Sequence, residues 1–307
     1  MAILWPLCRP ERKRPACALG WGDTINTANN QIIGGGFSYD AAGNMLSDGI
    51  HNYSYDAEGN LVTVDGGATA TYTYDALNQR VRVDGPATGS EEFLYNVNGQ
   101  RVSIWNPSTG LQTQGQAYWG AQPVEFYQPG VGAHFQHQDW EGTERVQTSY
   151  TGAVESTYTS LPFGDGYSAS GGDIDAYHFA GQDQDSSASD HAQFREYSNM
   201  TGRWFSPDPY SGSYDPLNPQ SMNRYAYALG NPLTFTDALG LTICEQAADS
   251  ANWNDSGVIV FGYPDVCYRT DGGGGGSYIS AGGGGAGAGA SGTANNGPTV
   301  SHCLGNL

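Results

Sequence analysis

A tyrosine–aspartate motif that returns about every twenty residues constrains this chain more than anything else in it. F-S-Y-D-A-A-G-N-M-L runs from Phe37 to Leu46. Y-S-Y-D-A-E-G-N-L-V-T-V-D-G starts at Tyr53, and Y-T-Y-D-A-L-N-Q-R-V-R-V-D-G at Tyr72. A decayed copy, F-L-Y-N-V-N-G-Q-R-V-S, spans Phe93 to Ser103. The half of each copy that ends in Tyr-Asp alternates aromatic and small polar residues, as a half-buried strand does. Asp40, Asp56 or Asp75 then starts a turn by bonding its own backbone. Gly43-Asn44 or Gly59-Asn60 supplies the left-handed position that ends it. The L-V-T-V or R-V-R-V half is the return strand, so one copy reads as a β-hairpin. A lone hairpin is marginal in water, and the copies must stack to bury their aromatic face.

Composition points the same way. Among 307 residues there are 45 glycines and 20 tyrosines, with 38% hydrophobic residues, a balance that favours strands and turns over helices. The net charge of −19, with only 12 basic residues, repels phosphate backbones and argues against nucleic acid as a partner. No apolar run approaches the roughly 18 residues of a membrane-spanning helix. The 5 cysteines include no C-x-x-C pair, so a zinc site is poorly supported. Cys244, Cys267 and Cys303 all follow Leu241, and one disulfide among them is open if that region is exported. No cofactor-binding pattern is read anywhere.

Other constellations yield to structural readings. His134 and His137, near Asp139, sit three apart on an expected strand and so point to opposite faces, which disfavours a shared metal. The D-A-A-G-N and D-A-E-G-N turns lack the alternating oxygen ligands and distal glutamate of a calcium loop. The chain divides into an atypical segment at 1–36, hairpin repeats at 37–176, a core at 177–241 and a glycine-rich tail at 242–307. In the first segment apolar residues precede the basic ones, the reverse of a signal peptide. A truncated or misassigned start and a short disordered arm both fit it. In the tail, T-I-C-E-Q-A-A-D-S-A-N-W-N reads as a short helix at most and V-I-V-F-G-Y-P as one strand. Gly272 to Gly297 is low complexity, and the tail as a whole is expected to be mostly flexible.

The Y-D-x-x-G-N-L hairpins, with an aromatic three residues before the aspartate, resemble the YD repeats of the Rhs family. The degenerate H-F-Q-H-Q-D-W-E-G-T-E-R-V at His134–Val146 and the L-P-F-G-D turn ending at Asp165 are similar to family elements ahead of its core. A-Y-H-F-A-G-Q-D at Ala176–Asp183 looks like the start of that core. R-E-Y…G-R-W-F-S-P-D-P at Arg195–Pro209, with N-R-Y-A-Y…N-P-L-T-F-T-D-A-L-G-L at Asn223–Leu241, resembles the Rhs repeat-associated core. The resemblance covers about Phe37 to Leu241. It implies an all-β fold: a curved strip or partial shell of stacked hairpins, closed by the core. It also implies self-cleavage just after the final Leu, between Leu241 and Thr242, with Arg195, Asp208 and Asp237 as the catalytic positions. The tail would be the enclosed passenger. Upstream repeats of a longer parent chain or a secretion apparatus would be partners, and the setting would be secreted or cell-surface.

Such chemistry is sound in itself. Two neighbouring carboxylates share a proton, so one can activate water while the other donates to the leaving amine. An arginine can keep one ionised or steady the oxyanion. Two departures stand out. Ala238 replaces the proline of the family's D-P-x-G-L, which is expected to loosen the aim of Asp237. Glu196 follows Arg195 where the family has an aromatic, and it could compete for the guanidinium. The rival reading is a non-cleaving cell-surface adhesion module whose aromatic side chains stack on sugars.

Overall fold

The structure, a computed structural model, describes residues 24–86, 89–120, 122–172, 177–185 and 189–241, together with the strand backbones at 244–245, 266–269 and 277–280. Among these residues the regular structure is β, with short 3-10 turns between strands. β1 (Thr24–Ile25) pairs with β2 (Ile32–Ile33), a hairpin that precedes the first repeat read from the sequence. β3 (Phe37–Tyr39) pairs with β4 (Met45–Asp48). One antiparallel sheet of twelve strands follows. It comprises β5 (Tyr53–Tyr55), β6 (Leu61–Val64), β7 (Ala70–Tyr74), β8 (Arg80–Gly85), β9 (Gly89–Tyr95) and β10 (Arg101–Asn106). It continues through β11 (Leu111–Trp119), β12 (Gln122–Gln128), β13 (Gly132–Gln138), β14 (Glu144–Ser149), β15 (Val154–Thr159) and β16 (Ser168–Gly171). Each strand pairs with its sequence neighbours, and the sheet stays open, with β5 and β16 at its edges.

The hairpin turns form as their residues dictate. Asp56 Oδ1 accepts from the backbone N–H of Glu58 (3.0 Å) and Asn60 (2.9 Å), and its Oδ2 accepts from Asn60 Nδ2 at 3.0 Å. Asp40 makes the equivalent pair of bonds to Asn44. Gly43 and Gly59 hold φ of 94° and 90°, the left-handed region that favours glycine. Where the third copy has Asn78 instead, the asparagine takes that conformation at φ 59°. The same turn recurs at Asp139, whose Oδ1 accepts from Glu141 and Thr143 at 3.0 Å each, so the degenerate stretch is a further hairpin.

Stacking has its own device. The second tyrosine of each motif lies opposite the first residue of its return strand: Tyr55 opposite Leu61, Tyr74 opposite Arg80, Tyr95 opposite Arg101. From Tyr74 onward the hydroxyl at this place reaches back one hairpin, which that of Tyr55 does not. Tyr74 donates to the Leu61 carbonyl at 2.9 Å, Tyr95 to Arg80 at 2.7 Å and Tyr118 to Arg101 at 2.8 Å. The first tyrosines are buried with Leu61, Val64, Val83, Phe93 and Ile104, and Phe205 from the C-terminal unit packs among them. Past β10 the buried row changes character. Gln114, Gln136 and Gln147 fill it, linked by bonds such as Gln116 Nε2 to Gln136 Oε1 at 2.7 Å. His134 is buried and stacked on Phe126, while His137 is exposed, on the other side of β13.

The C-terminal unit is a small sheet of β17 (Asp183–Gln184), β18 (Asp190–His191), β19 (Glu196–Ser198) and β20 (Arg203–Trp204). Its core is aromatic: Phe179, Tyr197, Trp204 and Tyr227, with ring centroids 4.8–5.8 Å apart. It is locked to the hairpin sheet by buried ions. Arg80 donates to Asp185 (2.7 Å) and Glu196 (2.6 Å) and lies 4.0 Å from the Tyr72 ring centroid. Arg101 takes both oxygens of Asp183 and sits between the Phe93 and Tyr177 rings.

β21 (Phe235–Thr236) carries the last sheet, onto which β22 (Cys244–Glu245), β23 (Val266–Arg269) and β24 (Ser277–Ser280) add in turn. Their register sets Cys244 opposite Cys267. Cys244–Glu245 is strand where a short helix was expected, and Ser277–Ser280 is strand inside the stretch read as low complexity. The V-I-V-F-G-Y-P segment, Cys303 and the rest of the tail lie outside the described residues.

Two outcomes follow. Arg101→Ala leaves Asp183 uncompensated and is expected to cost about 3–5 kcal/mol in urea denaturation, against a smaller loss for Arg82→Ala, whose ion pair with Asp84 is 37% exposed on both sides. Burial also pushes Asp190 and Glu141 up to about 8 and raises Glu196. Raised carboxyl groups bind protons more tightly when folded, so their stabilisation is complete below the ordinary carboxylate range and is lost as pH rises through about 8. His191, lowered by burial, acts in the opposite sense only as pH falls below its ordinary value. The melting temperature is therefore expected to fall from pH 6.5 to pH 8.5, and Glu141→Gln should flatten that slope in thermal scans.

Candidate functional site

Arg195 immediately precedes β19, and the alternation of an extended chain sends it and Glu196 to opposite sides. Glu196 turns to Arg80 and to His191, whose Nδ1 is 2.6 Å from Glu196 Oε1. The expected competition of Glu196 for Arg195 does not arise. Arg195 instead enters a buried site on the other side, its guanidinium 4.3 Å from the Trp204 ring centroid. Nε donates to the Gly240 carbonyl, and Nη1 to the Arg224 carbonyl at 3.3 Å. Nη2 donates to Asp237 Oδ2 at 2.9 Å and to Asp208 Oδ2 at 3.5 Å. Burial pulls the guanidinium below its ordinary value, while Asp237 and then Asp208 act against that shift.

The structure thus brings Arg195, Asp208 and Asp237 to one point, from segments that the sequence separates by a long insert. Asp237 Oδ1 accepts from the backbone N–H of Gly240 (3.0 Å) and Leu241 (2.9 Å). The D-A-L-G-L turn lacks the proline whose loss was expected to loosen it, and the carboxylate of Asp237 fixes the turn itself. Gly240, at φ 80°, lies so close to Arg195 that a Cβ there would be 3.2 Å from Arg195 Cβ and 3.3 Å from its backbone nitrogen. Leu241 is held through its N–H. Thr242, the expected far side of the cut, lies outside the described residues.

Asp208 is differently placed. Its Oδ1 accepts from Tyr210 N–H at 2.8 Å, and its Oδ2 has only the longer contact to Arg195. It faces a small recess of about 60 Å³ shared with Arg195, Arg224, Asp237 and Leu241, roofed by the turn-rich insert from Tyr210 to Ser221. One carboxylate is therefore saturated with donors and fixed in place. The other is held by one oxygen and adjoins space that a water could occupy. Sequence reasoning missed Arg224, Gly240 and Trp204. Each sits inside a quoted motif, N-R-Y, A-L-G-L and G-R-W, but nothing in the spacing tells that these converge on Arg195. His134, His137 and Asp139 are not brought together, and among the described residues no group of three His, Cys, Asp or Glu side chains is placed to hold a metal ion. No helix among them is long and apolar enough to cross a membrane.

Residues 55–90 match the family model described as RHS Repeat, so the chain carries an Rhs repeat there, over the second and third hairpins. No curated protein matches the sequence. The fold is similar to that of a Photorhabdus luminescens Tc holotoxin pore, with a TM-score of 0.56 and 18% identity. It is equally similar to the crystal structure of TcdB2-TccC3 (0.56, 18%), and to TcdB2-TccC3 without its hypervariable C-terminal region (0.53, 18%). Each match covers 71% of this chain and 12% of the other, so the chain spans about an eighth of the solved chains it resembles.

A side chain at position 240 must meet both a left-handed backbone and the Arg195 main chain. Gly240→Ala is expected to cost about 1–2 kcal/mol from the backbone alone, and more once Arg195 is displaced. Thermal denaturation beside Gly230→Ala, where a Cβ meets nothing within 4 Å, separates the two contributions.

Proposed function

We propose that this chain is a segment of an Rhs-type shell whose core closes the hairpin strip and cuts the chain once, between Leu241 and Thr242, releasing the C-terminal tail as a passenger. One observation carries this reading. A single guanidinium nitrogen of Arg195 contacts both Asp208 and Asp237, while Asp237 also holds the N–H of Leu241, the residue just before the bond to be cut. Asp237, bonded by Arg195 and two N–H groups, is the fixed carboxylate that aims the turn. Asp208 is the proton carrier. It takes a proton from a water in the recess as that water attacks the Leu241 carbonyl carbon. It returns the proton to the Thr242 nitrogen as the C–N bond breaks, leaving a Leu241 carboxyl group and a new amino terminus. Because attacked bond and catalyst share one chain, positioning supplies much of the rate, and one turnover suffices.

The likeness to a Tc structure described as lacking a hypervariable C-terminal region supports reading residues 242–307 as variable cargo. The same likeness favours a secreted or cell-surface setting, with upstream repeats of a longer chain or a secretion apparatus as partners. A second reading, adhesion to glycans, draws on an open groove of about 410 Å³ that includes Phe135, His137, Thr148 and Tyr150. Exposed rings beside hydrogen-bonding groups suit sugar stacking. Intact mass spectrometry of the purified chain decides between them. The expected result is a break after Leu241 in the wild type that is absent from Asp208→Asn and Asp237→Asn. An uncut wild type retained on glycan beads would replace the first reading with the second.

A further inference from the structure

We infer that Arg224 is a positioning residue for this cut: its guanidinium clamps the Asp208 turn over the recess while its main chain ties that turn to Arg195. The inference rests on the self-cleavage reading. Arg224 Nη2 donates to the carbonyls of Asp208 (2.5 Å) and Tyr210 (2.6 Å), bracketing the proline between them, and lies 4.0 Å from Asp208 Oδ1. Its own carbonyl accepts from Asp208 N–H at 2.9 Å and from Arg195 Nη1 at 3.3 Å. One residue therefore touches the proton carrier from both its side chain and its main chain, and the central arginine from its main chain.

The side chain is the selective part of that arrangement. Asp208 has only the contact to Arg195 on Oδ2, at the long end of hydrogen bonding, so that oxygen does not hold the carboxylate in place. The turn that carries Asp208 must be held from elsewhere. The insert beyond it is fastened locally, by Asp215, Asn218 and Ser221 bonding within the loop. Beside the main-chain bond from Asp208 N–H, the Arg224 guanidinium fastens the start of the insert through the Asp208 and Tyr210 carbonyls. One nitrogen, Nη2, reaches both carbonyls, and the side chain stays 24% exposed at the recess, within reach of small solutes. A lysine also brings several donors on one nitrogen, but on a flexible stem without the fixed plane that aims Nη2 at the two carbonyls.

The test uses the full chain made by cell-free translation, stopped and sampled over time, with cut and uncut chains separated by mass. Arg224→Ala is expected to slow the cut roughly ten- to a hundredfold, as loss of about an ångström of aim does. Arg224→Lys should fall between it and wild type. Methylguanidinium added to Arg224→Ala should restore much of the rate, and should restore nothing to Asp208→Asn. A wild-type rate in Arg224→Ala overturns the inference. So does a slow cut that neither lysine nor methylguanidinium improves, which marks a purely structural side chain. If wild type itself stays uncut, the self-cleavage reading fails and the role of Arg224 fails with it, a pattern distinct from either of those.

Discussion

The buried ion pairs of Arg80 and Arg101 with Asp183, Asp185 and Glu196 are the contact on which both halves of the described structure depend. Either arginine would be costly inside the sheet without its acids, and the acids would be costly inside the core without the arginines. Neither surface is a good partner for anything else. The pairing need not stabilise more than well-packed apolar residues would, but it is more selective. Met45 and Leu61 occupy the same position in earlier hairpins and pack in one apolar cluster with Phe205, so the charged rungs fix where along the strip the C-terminal unit sits.

That contact is coupled to the candidate site by one peptide step. Glu196 belongs to the docking network and Arg195 to the site, on opposite sides of the same extended segment. A shift of the C-terminal unit along the strip would move Glu196 and drag Arg195 with it. The two aspartates around Arg195 are unequal because their neighbours are. Asp237 closes its own turn with two N–H bonds, a self-contained arrangement that needs no proline, whereas Asp208 depends on contacts that reach from another segment.

Much of this was legible in the chain. Tyr-Asp alternation, the Asx turn and the Gly-Asn ending each have a local physical cause, and hairpins follow from local causes. The three site residues were legible only through motif resemblance, since nothing local tells that Arg195, Asp208 and Asp237 meet. What stayed hidden depends on what lies across the fold. Arg80 and Arg101 read as strand polar residues, yet they are among the most deeply buried side chains. The Asp139 hairpin was blurred because Gln136 and Gln147 replace the aromatic row there, and the amide ladder that makes glutamine acceptable exists only once the strands are adjacent. Glu196 read as a rival for Arg195 because sequence adjacency hides the alternation that separates them.

The tyrosine hydroxyl that reaches back one hairpin gives the strip a direction. Tyr74, Tyr95 and Tyr118 each donate to a carbonyl of a segment made earlier, so each new hairpin finds its acceptor already present as the chain lengthens. Growth from the amino end needs only neighbours in sequence, the cheapest closures a chain can make. The site comes last. Its members at 195, 208, 224 and 237 need the Arg80 and Arg101 rungs laid down first and the A-L-G-L turn present. The order of synthesis itself thus sets when Arg195 can meet its two aspartates: only after the strip that backs them has been made.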